Sequence, residues 1–408
     1  MKILIVCDGF PPDFAPRMGY LSKYLARMGC ETDVVCEQFA NNQGFDFLAD
    51  TASKIKRIRF YRSLDMPKPR IEWATLMLRD MLFHYRDKKI ISEIQKDRSF
   101  YGYDLVLGCT YRTFPLMAAE KLTEYFKVPL VVDLRDIVEQ YPSKAYFTHR
   151  LPFERLFTAR LVRGRNRILE KAAAVISVSE WHREVLRQFN PNSHLIYNGY
   201  DPELFFPAHQ PDSCFRITFT GRMLHSKIRN PDWLFEAVAR LREKGLISDT
   251  DFRLCWYVDP EGKRPLQEMA TRYGIESISE CHDFIPADKV PALLNRSSIL
   301  FQMANKADAE GPKGIMTTKI FEALAVGKPL LLVRSDESYL EELINRYHCG
   351  LAARNVESIE EFILAQYNKW KKTGSTAIPV NPEIEQRFSR KGQAEQFLQL
   401  FKSILKHD

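Results

Sequence analysis

The 408-residue sequence has no apolar run approaching the roughly 20 residues that cross a bilayer, which excludes a spanning helix. Its opening MKILIV reads as a strand, not as a charged and apolar export signal, so a cytoplasmic protein is expected. The eight cysteines contain no CxxC pair, and Cys7, Cys36 and Cys255 fall in apolar runs. They read as small core residues in a reducing compartment, not as a disulfide frame. The nine histidines are scattered and build no ligand set with the carboxylates, so no metal and no cofactor are expected. Charge of one sign is scarce: 59 basic against 52 acidic residues leave a net +7. That excess suits phosphorylated substrates or an anionic membrane surface, and is too small and dispersed for nucleic acid. Repeats and low-complexity tracts are absent. Missing too is the GxGxxG of a dinucleotide enzyme, since the loop after the first strand reads CDGFPPDFAPRMG.

What is present is an α/β pattern repeated twice. Strand 2–7, helix 20–28 and strand 32–36 form a βαβ start that predicts a parallel, doubly wound sheet. Further strands are predicted at 58–61, 104–108, 129–133, 175–178 and 194–197. Asp13, Phe14 and Ala15, behind two prolines, read as a stiff exposed loop at a carboxyl strand end, where open α/β sheets bind ligands. Two basic stretches interrupt the pattern. One, over 71–97, reads as helical. The other, over 150–171, interleaves Phe153, Leu156, Phe157 and Leu161 with Arg155, Arg160, Arg163, Arg165 and Arg167. It reads either as an amphipathic helix with solvated arginines or as a surface resting on anionic lipid. A polar linker at 207–213 precedes a second series: strands 215–220, 253–258, 281–284 and 299–303, and helices 231–244, 266–273 and 359–371. One last amphipathic helix over 383–405 closes the chain.

The stretch EGPKGIMTTKIFEALAVGKPLLLV, 310–333, carries the most chemistry. Thr317 and Thr318 are placed to cap a helix start, Gly327 to stop it, and an apolar strand follows. A helix N-terminus behind Gly311 and Gly314 offers N–H groups to an anion, and Lys319 adds a charge nearby. Glu322, three residues on, shares a helix edge with Lys319 and can accept from two vicinal hydroxyls, as on a ribose. Either this is a nucleotide diphosphate site or an ordinary βα unit with a solvated charged edge.

Several spaced motifs decide between these. VDLRD at 132–136 with Tyr141-Pro142, Ser177-Val178-Ser179, and Ile196-Tyr197-Asn198-Gly199-Tyr200-Asp201 with Phe206-Pro207 lie in the first half. Thr220-Gly221-Arg222 with Lys227, and Thr318-Lys319 through Glu322 to Pro329, lie in the second. In this order they resemble the GT-B glycosyltransferases of the large retaining family 4 (glycosyl transferase group 1), in the branch with bacterial surface-polysaccharide enzymes. The resemblance implies two Rossmann-like domains facing across a cleft: an acceptor domain at 1–206, a nucleotide-sugar domain at 207–383, and a helix at 384–408 crossing back. It implies that Arg222 and Lys227 clamp the donor diphosphate and that Glu322 holds the ribose. The N–H groups from Gly314 to Thr318 would meet the phosphates, and Arg135 and Asp136 would face the acceptor or the reacting sugar. Asp136 reads otherwise as a helix cap or as half of an Arg135–Asp136 surface pair. The implied reaction is transfer from a UDP-linked sugar to a glycan or lipid-linked acceptor by front-face substitution, with a donor phosphate oxygen taking the acceptor proton.

Three departures accompany the likeness. Gly314 stands where the family carries a first glutamate, with Glu310 nearby. Ala15-Pro16 replaces a Gly-Gly, and Arg135 replaces a histidine. Two other functions remain open: a nucleotide-sugar epimerase or hydrolase using Asp13 and Asp136, and a catalytically silent subunit that binds glycan or partners.

Overall fold

The computed structural model describes residues 1–39, 44–60, 70–110, 112–140, 154–208, 213–223, 229–303 and 316–407. They form two compact units, Met1–Asn198 with Arg390–Asp408, and Gly199–Ser389.

The first unit is a parallel sheet of seven strands: β1 (Lys2–Cys7), β2 (Glu31–Glu37), β3 (Lys54–Ile58), β4 (Leu105–Thr110), β5 (Leu130–Leu134), β6 (Ala174–Ser177) and β7 (Ser193–Leu195). Their spatial order is β3-β2-β1-β4-β5-β6-β7, so the winding reverses between β1 and β4. Both faces are covered by helices, which is why the strands read as continuous apolar runs without polar alternation. Its helices are α1 (Pro16–Arg27), α2 (Arg70–Phe83), α3 (Tyr85–Lys96), α4 (Leu116–Phe126), α5 (Glu154–Lys171) and α6 (Glu180–Arg187). Alternate residues of β1 serve opposite cores: Ile3, Ile5 and Cys7 pack with Leu21 and Leu25 of α1, while Leu4 and Val6 pack with Ile90, Ile94 and Leu122 of α3 and α4. Cys36, Cys7 and Cys109 lie side by side in register across three strands, fully buried, and burial pushes their thiols up.

The second unit repeats the plan with β8 (Phe215–Thr220), β9 (Phe252–Tyr257), β10 (Ser279–His282), β11 (Ile299–Met303), β12 (Leu330–Val333) and β13 (Gly350–Ala353), ordered β10-β9-β8-β11-β12-β13. Its helices are α7 (Asp232–Glu243), α8 (Pro260–Arg272), α9 (Val290–Arg296), α10 (Thr318–Val326), α11 (Tyr339–Tyr347), α12 (Val356–Thr373) and α13 (Pro382–Phe388). Phe235 stacks on Trp256 at 5.3 Å in a core that includes Phe215, Phe219 and Phe301. The reversal falls between β8 and β11. In both sheets the carboxyl strand ends at that reversal form the place where open α/β sheets receive ligands.

Some expectations differ from this structure. The strand expected at 58–61 is Lys54–Ile58, the helix expected from 266 starts at Pro260, and the helix expected over 71–97 is broken at His84, whose φ is +51°. The helix expected over 383–405 is two, because Ser389 takes an extended conformation (ψ 155°) that no helix accommodates. The second of these, α14 (Arg390–His407), belongs to the first unit, where Ala394, Phe397 and Phe401 join the core beside α1. The division between units therefore falls after Asn198 and after Ser389, against the 206 and 383 expected from the linker and the helix pattern.

Candidate functional site

In the second unit the site grows from the end of β8. Thr220 leads into Gly221, whose φ of +141° is open to glycine and strained for other residues. A Cβ at Gly221 would stand 2.6 Å from Lys319 Nζ, so the absent side chain is the room that the lysine tip occupies. Lys319 lies in the first turn of α10, preceded by Thr317 in extended conformation (φ −68°, ψ 134°). The expected hydroxyl caps are not made, and no side chain caps this helix start. The Ile320 N–H donates to the Thr317 carbonyl at 3.3 Å, and the hydroxyls of Thr317 and Thr318 cap none of the first-turn N–H groups. Gly327 ends the helix at φ +64°, as its position predicts.

Two arginines flank this lysine. Arg222 is exposed, and its carbonyl accepts from Arg229 Nη1 at 2.5 Å. Met223 N donates to Asp259 Oδ1 at 2.9 Å, so the turn after Gly221 is held from both sides. Burial pushes the Lys319 ammonium below its ordinary pKa; Glu322, one turn on, works against this, and the positive charge of Arg229 adds to it. Burial likewise lowers Arg229, with Asp259 opposing. Two desolvated cations held together are unfavourable unless a multiply charged anion joins them. Arg229 was not singled out in the sequence, although it lies two residues past Lys227 at the entry to α7. Lys227, Gly314 and Glu310 fall outside the described residues. Along the same edge Tyr257 and His282, register partners on β9 and β10, stack at 4.7 Å, and Lys263 pairs with Asp283 at 2.7 Å.

In the first unit, two loops at the carboxyl strand ends are tied to each other. Arg135, next after β5, donates through Nη2 to both oxygens of Asp8, next after β1, at 2.6 and 2.7 Å. The Arg135–Asp136 surface pair, the alternative reading of Asp136, is not among the ion pairs of the described residues. Burial alone would lower the Arg135 pKa, but Asp8 together with Cys109, Asp133 and Cys7 raises it and holds the guanidinium charged. Asp136 instead accepts from Gln140 Nε2 at 3.4 Å, and burial raises its pKa against the pull of Gln140 and Arg135. The first loop is less exposed than expected: Asp13 and Ala15 are buried, and only Phe14, 72% exposed, projects. Burial pushes Asp13 up to about 6, opposed by Arg57 at 3.7 Å. Arg57 also donates to the Phe10 and Pro11 carbonyls, which fixes the loop to β3. Below these, Asp133 receives two 2.8 Å bonds from the buried Arg17, which also donates to the carbonyls of Ile196 and Tyr197.

The second unit can thus hold a phosphorylated ligand, and the first presents two carboxyls, Asp13 and Asp136, whose protons are held more tightly than usual. Among the described residues, no three or more His, Cys, Asp and Glu side chains converge as a metal site. No helix among them is long and apolar enough to cross a membrane.

Residues 17–204 match the family described as Glycosyltransferase Family 4, and residues 214–368 match that described as Glycosyl transferases group 1. No curated protein sequence matches the chain. Among solved structures, the fold is similar to sucrose-phosphate synthase from Thermosynechococcus elongatus, with a TM-score of 0.65 at 13% identity over 100% of both chains. It is similar to HepE of Anabaena in complex with UDP and glucose, with a TM-score of 0.64 at 17% identity over 99% of this chain and 100% of that one. A glycosyltransferase from Rickettsia africae gives 0.63 at 16% identity over 100% of this chain and 99% of that one. The two matches, both to glycosyltransferase families, together take in most of the sequence, and the two Rossmann-like units have the GT-B fold of glycosyltransferases.

Proposed function

We propose that the protein is a retaining transferase that moves a hexosyl or N-acetylhexosaminyl group from a UDP-linked donor to a glycan or lipid-linked glycan, in polysaccharide biosynthesis. The observation that carries this reading is the apposition of Lys319 and Gly221, with Arg229 and Glu322 alongside. Lys319, Arg229 and Arg222 meet the diphosphate, whose charge grows as it leaves, so these cations stabilise the transition state more than the ground state. Glu322 accepts from the ribose hydroxyls. The edge formed by Tyr257, His282 and Asp283 receives the base. Asp136, beside Arg135, faces the acceptor, and the proton of the attacking hydroxyl passes to a donor phosphate oxygen. In this scheme neither a metal ion nor a cofactor is assigned a step. That HepE binds UDP and glucose supports the choice of donor. The exposed arginines of α5 bring the enzyme to an anionic membrane on its cytoplasmic side.

Asp13 favours a second reading. A carboxyl raised to about 6 in a ligand-binding loop is suited to proton abstraction, as an epimerase or hydrolase needs. The silent-subunit reading is disfavoured by the retained cations.

Calorimetric titration with UDP, GDP and ADP, without added metal and beside Glu322→Ala, tests the donor site. One diphosphate is expected to bind, with affinity reduced about tenfold or more in the variant, the loss expected of one charged hydrogen-bonding partner. No binding of any of the three would overturn the transferase reading. Conversion of a UDP-sugar without acceptor would favour the second one.

A further inference from the structure

We propose that Gln140 and His182 are positioning residues that fix the orientation of the Asp136 carboxylate and keep it ionised. The inference rests on the reading of Asp136 as an acceptor-side group. Directly after Asp136, Val138–Gln140 forms a single 3-10 turn that brings Gln140 back toward it. Gln140 is 2% exposed; its Nε2 donates to Asp136 Oδ1 at 3.4 Å and its Oε1 meets His182 Nε2 at 2.8 Å. A primary amide has one donating end and one accepting end. With its NH2 turned to a carboxylate, its oxygen needs a donor, so the imidazole must carry its proton on Nε2. Turned round, the amide would set its oxygen against the carboxylate, a repulsive contact in a buried place.

His182 is buried in the first turn of α6, where its backbone N–H is capped by Ser179 Oγ at 3.2 Å. With the proton on Nε2, Nδ1 is left as a bare acceptor, and it is buried without a hydrogen-bond partner among the described residues. A residue needed only to fill this space would be apolar and leave no bare nitrogen. The orphaned Nδ1 is the consequence of placing a donor at Nε2. Burial holds the ring neutral, its pKa pushed down to about 4, so the chain orients and carries no proton. The charged groups facing it are Arg135 against Asp136, and Glu139 against His182. Glu139 is itself paired with the buried Arg165 of α5 at 3.0 Å, so the turn is clamped from α5 as well as from α6. Burial raises the Asp136 pKa and the Gln140 amide opposes that rise. Loss or misorientation of the amide therefore leaves the carboxyl protonated at higher pH.

The test is a carboxyl-carbon NMR titration of the full-length protein carrying 13C-labelled aspartate, with Asp136 assigned by the signal lost in Asp136→Asn. The midpoint is expected to rise by about one pH unit in Gln140→Leu, by less in His182→Leu, and to stay at the wild-type value in His182→Gln. The glutamine amide can set an N–H where Nε2 stands, so rescue distinguishes orientation from packing. Wild-type titration in Gln140→Leu, or a raised midpoint in His182→Gln, would overturn the proposal, and both variants are isosteric enough to fold if His182→Leu does not. UDP affinity is expected to be unchanged in all of them. Failure of the wild-type protein to bind UDP, with the titrations as expected, would sink the transferase reading and leave this arrangement standing.

Discussion

Gly221 acts through what it lacks. Its missing Cβ is the space against which the Lys319 ammonium lies, and the lysine reaches that space from 98 residues further along the chain. Gly221→Ala would push the lysine tip aside at small cost to folding, because the displaced atoms are the flexible end of a side chain. The positive φ adds about 1 kcal/mol of strain. We expect UDP affinity to fall about tenfold or more, as for loss of one charged hydrogen bond, with a melting temperature lower by only a few degrees. Calorimetry and a melting curve on one preparation check this, and unchanged affinity would remove Lys319 from the phosphate site. Arg135 shows why single residues were only partly legible. Its place beside Asp136 could be read from the motif, but its partner Asp8 lies 127 residues away and no local pattern reports it. The same holds for Gln140 and His182, separated by 42 positions and joined only by the packing of α6 on the sheet.

At the scale of elements, α5 is the amphipathic helix of one of its two readings, with an exception among its arginines. Arg165, expected among solvated arginines, is fully buried against Glu139, whereas Arg160, Arg163 and Arg167 are exposed. Together with Leu156, 68% exposed, these three fall at helical spacing on one face. Each basic residue near an anionic surface contributes about 1 kcal/mol, so three give on the order of a hundredfold in partitioning. We expect the protein to float with vesicles containing anionic lipid at low salt, to be released at high salt, and to stay unbound when the three arginines are replaced by glutamate. Binding that survives the replacement would assign the membrane contact elsewhere. Strands were the most legible elements, since parallel strands covered on both faces leave uninterrupted apolar runs such as ILIV and LLLV. Helix boundaries were legible where the chemistry of the turn is local, as at Gly327. The break at Ser389 was hidden because the apolar period runs through it: Ile384 and Phe388 are buried in one unit, and Phe397 and Phe401 in the other.

For the whole molecule, that hidden break determines what each part of the chain can do alone. The polar stretch at 207–213 resembles a linker, yet Tyr200 donates its N–H to the Phe388 carbonyl and forms a bridge with Ser389 inside the second unit. Gly199 permits this approach, since a Cβ there would stand 2.1 Å from the same carbonyl. The described residues of the proposed donor site, among them Arg222, Arg229, Lys319 and Glu322, belong to Gly199–Ser389. A fragment of these residues should fold alone and bind UDP within about tenfold of the full chain, with Glu322→Ala weakening both equally. The first unit should not survive the reciprocal cut. A chain ending at Ser389 loses Phe397 and Phe401, both fully buried, and the Gln393 bond to the Tyr197 carbonyl at 2.7 Å. Each phenylalanine contributes about 1.5–3 kcal/mol by burial, so removal of α14 takes on the order of 5 kcal/mol from a unit whose whole stability is about 5–15 kcal/mol. Scanning calorimetry of the chain ending at Ser389 should therefore show the transition of the second unit and lack that of the first. Retention of both transitions would mean that α14 is dispensable to the first unit. A fragment that folds without binding UDP, where the full chain binds it, would bring residues of the first unit into donor recognition.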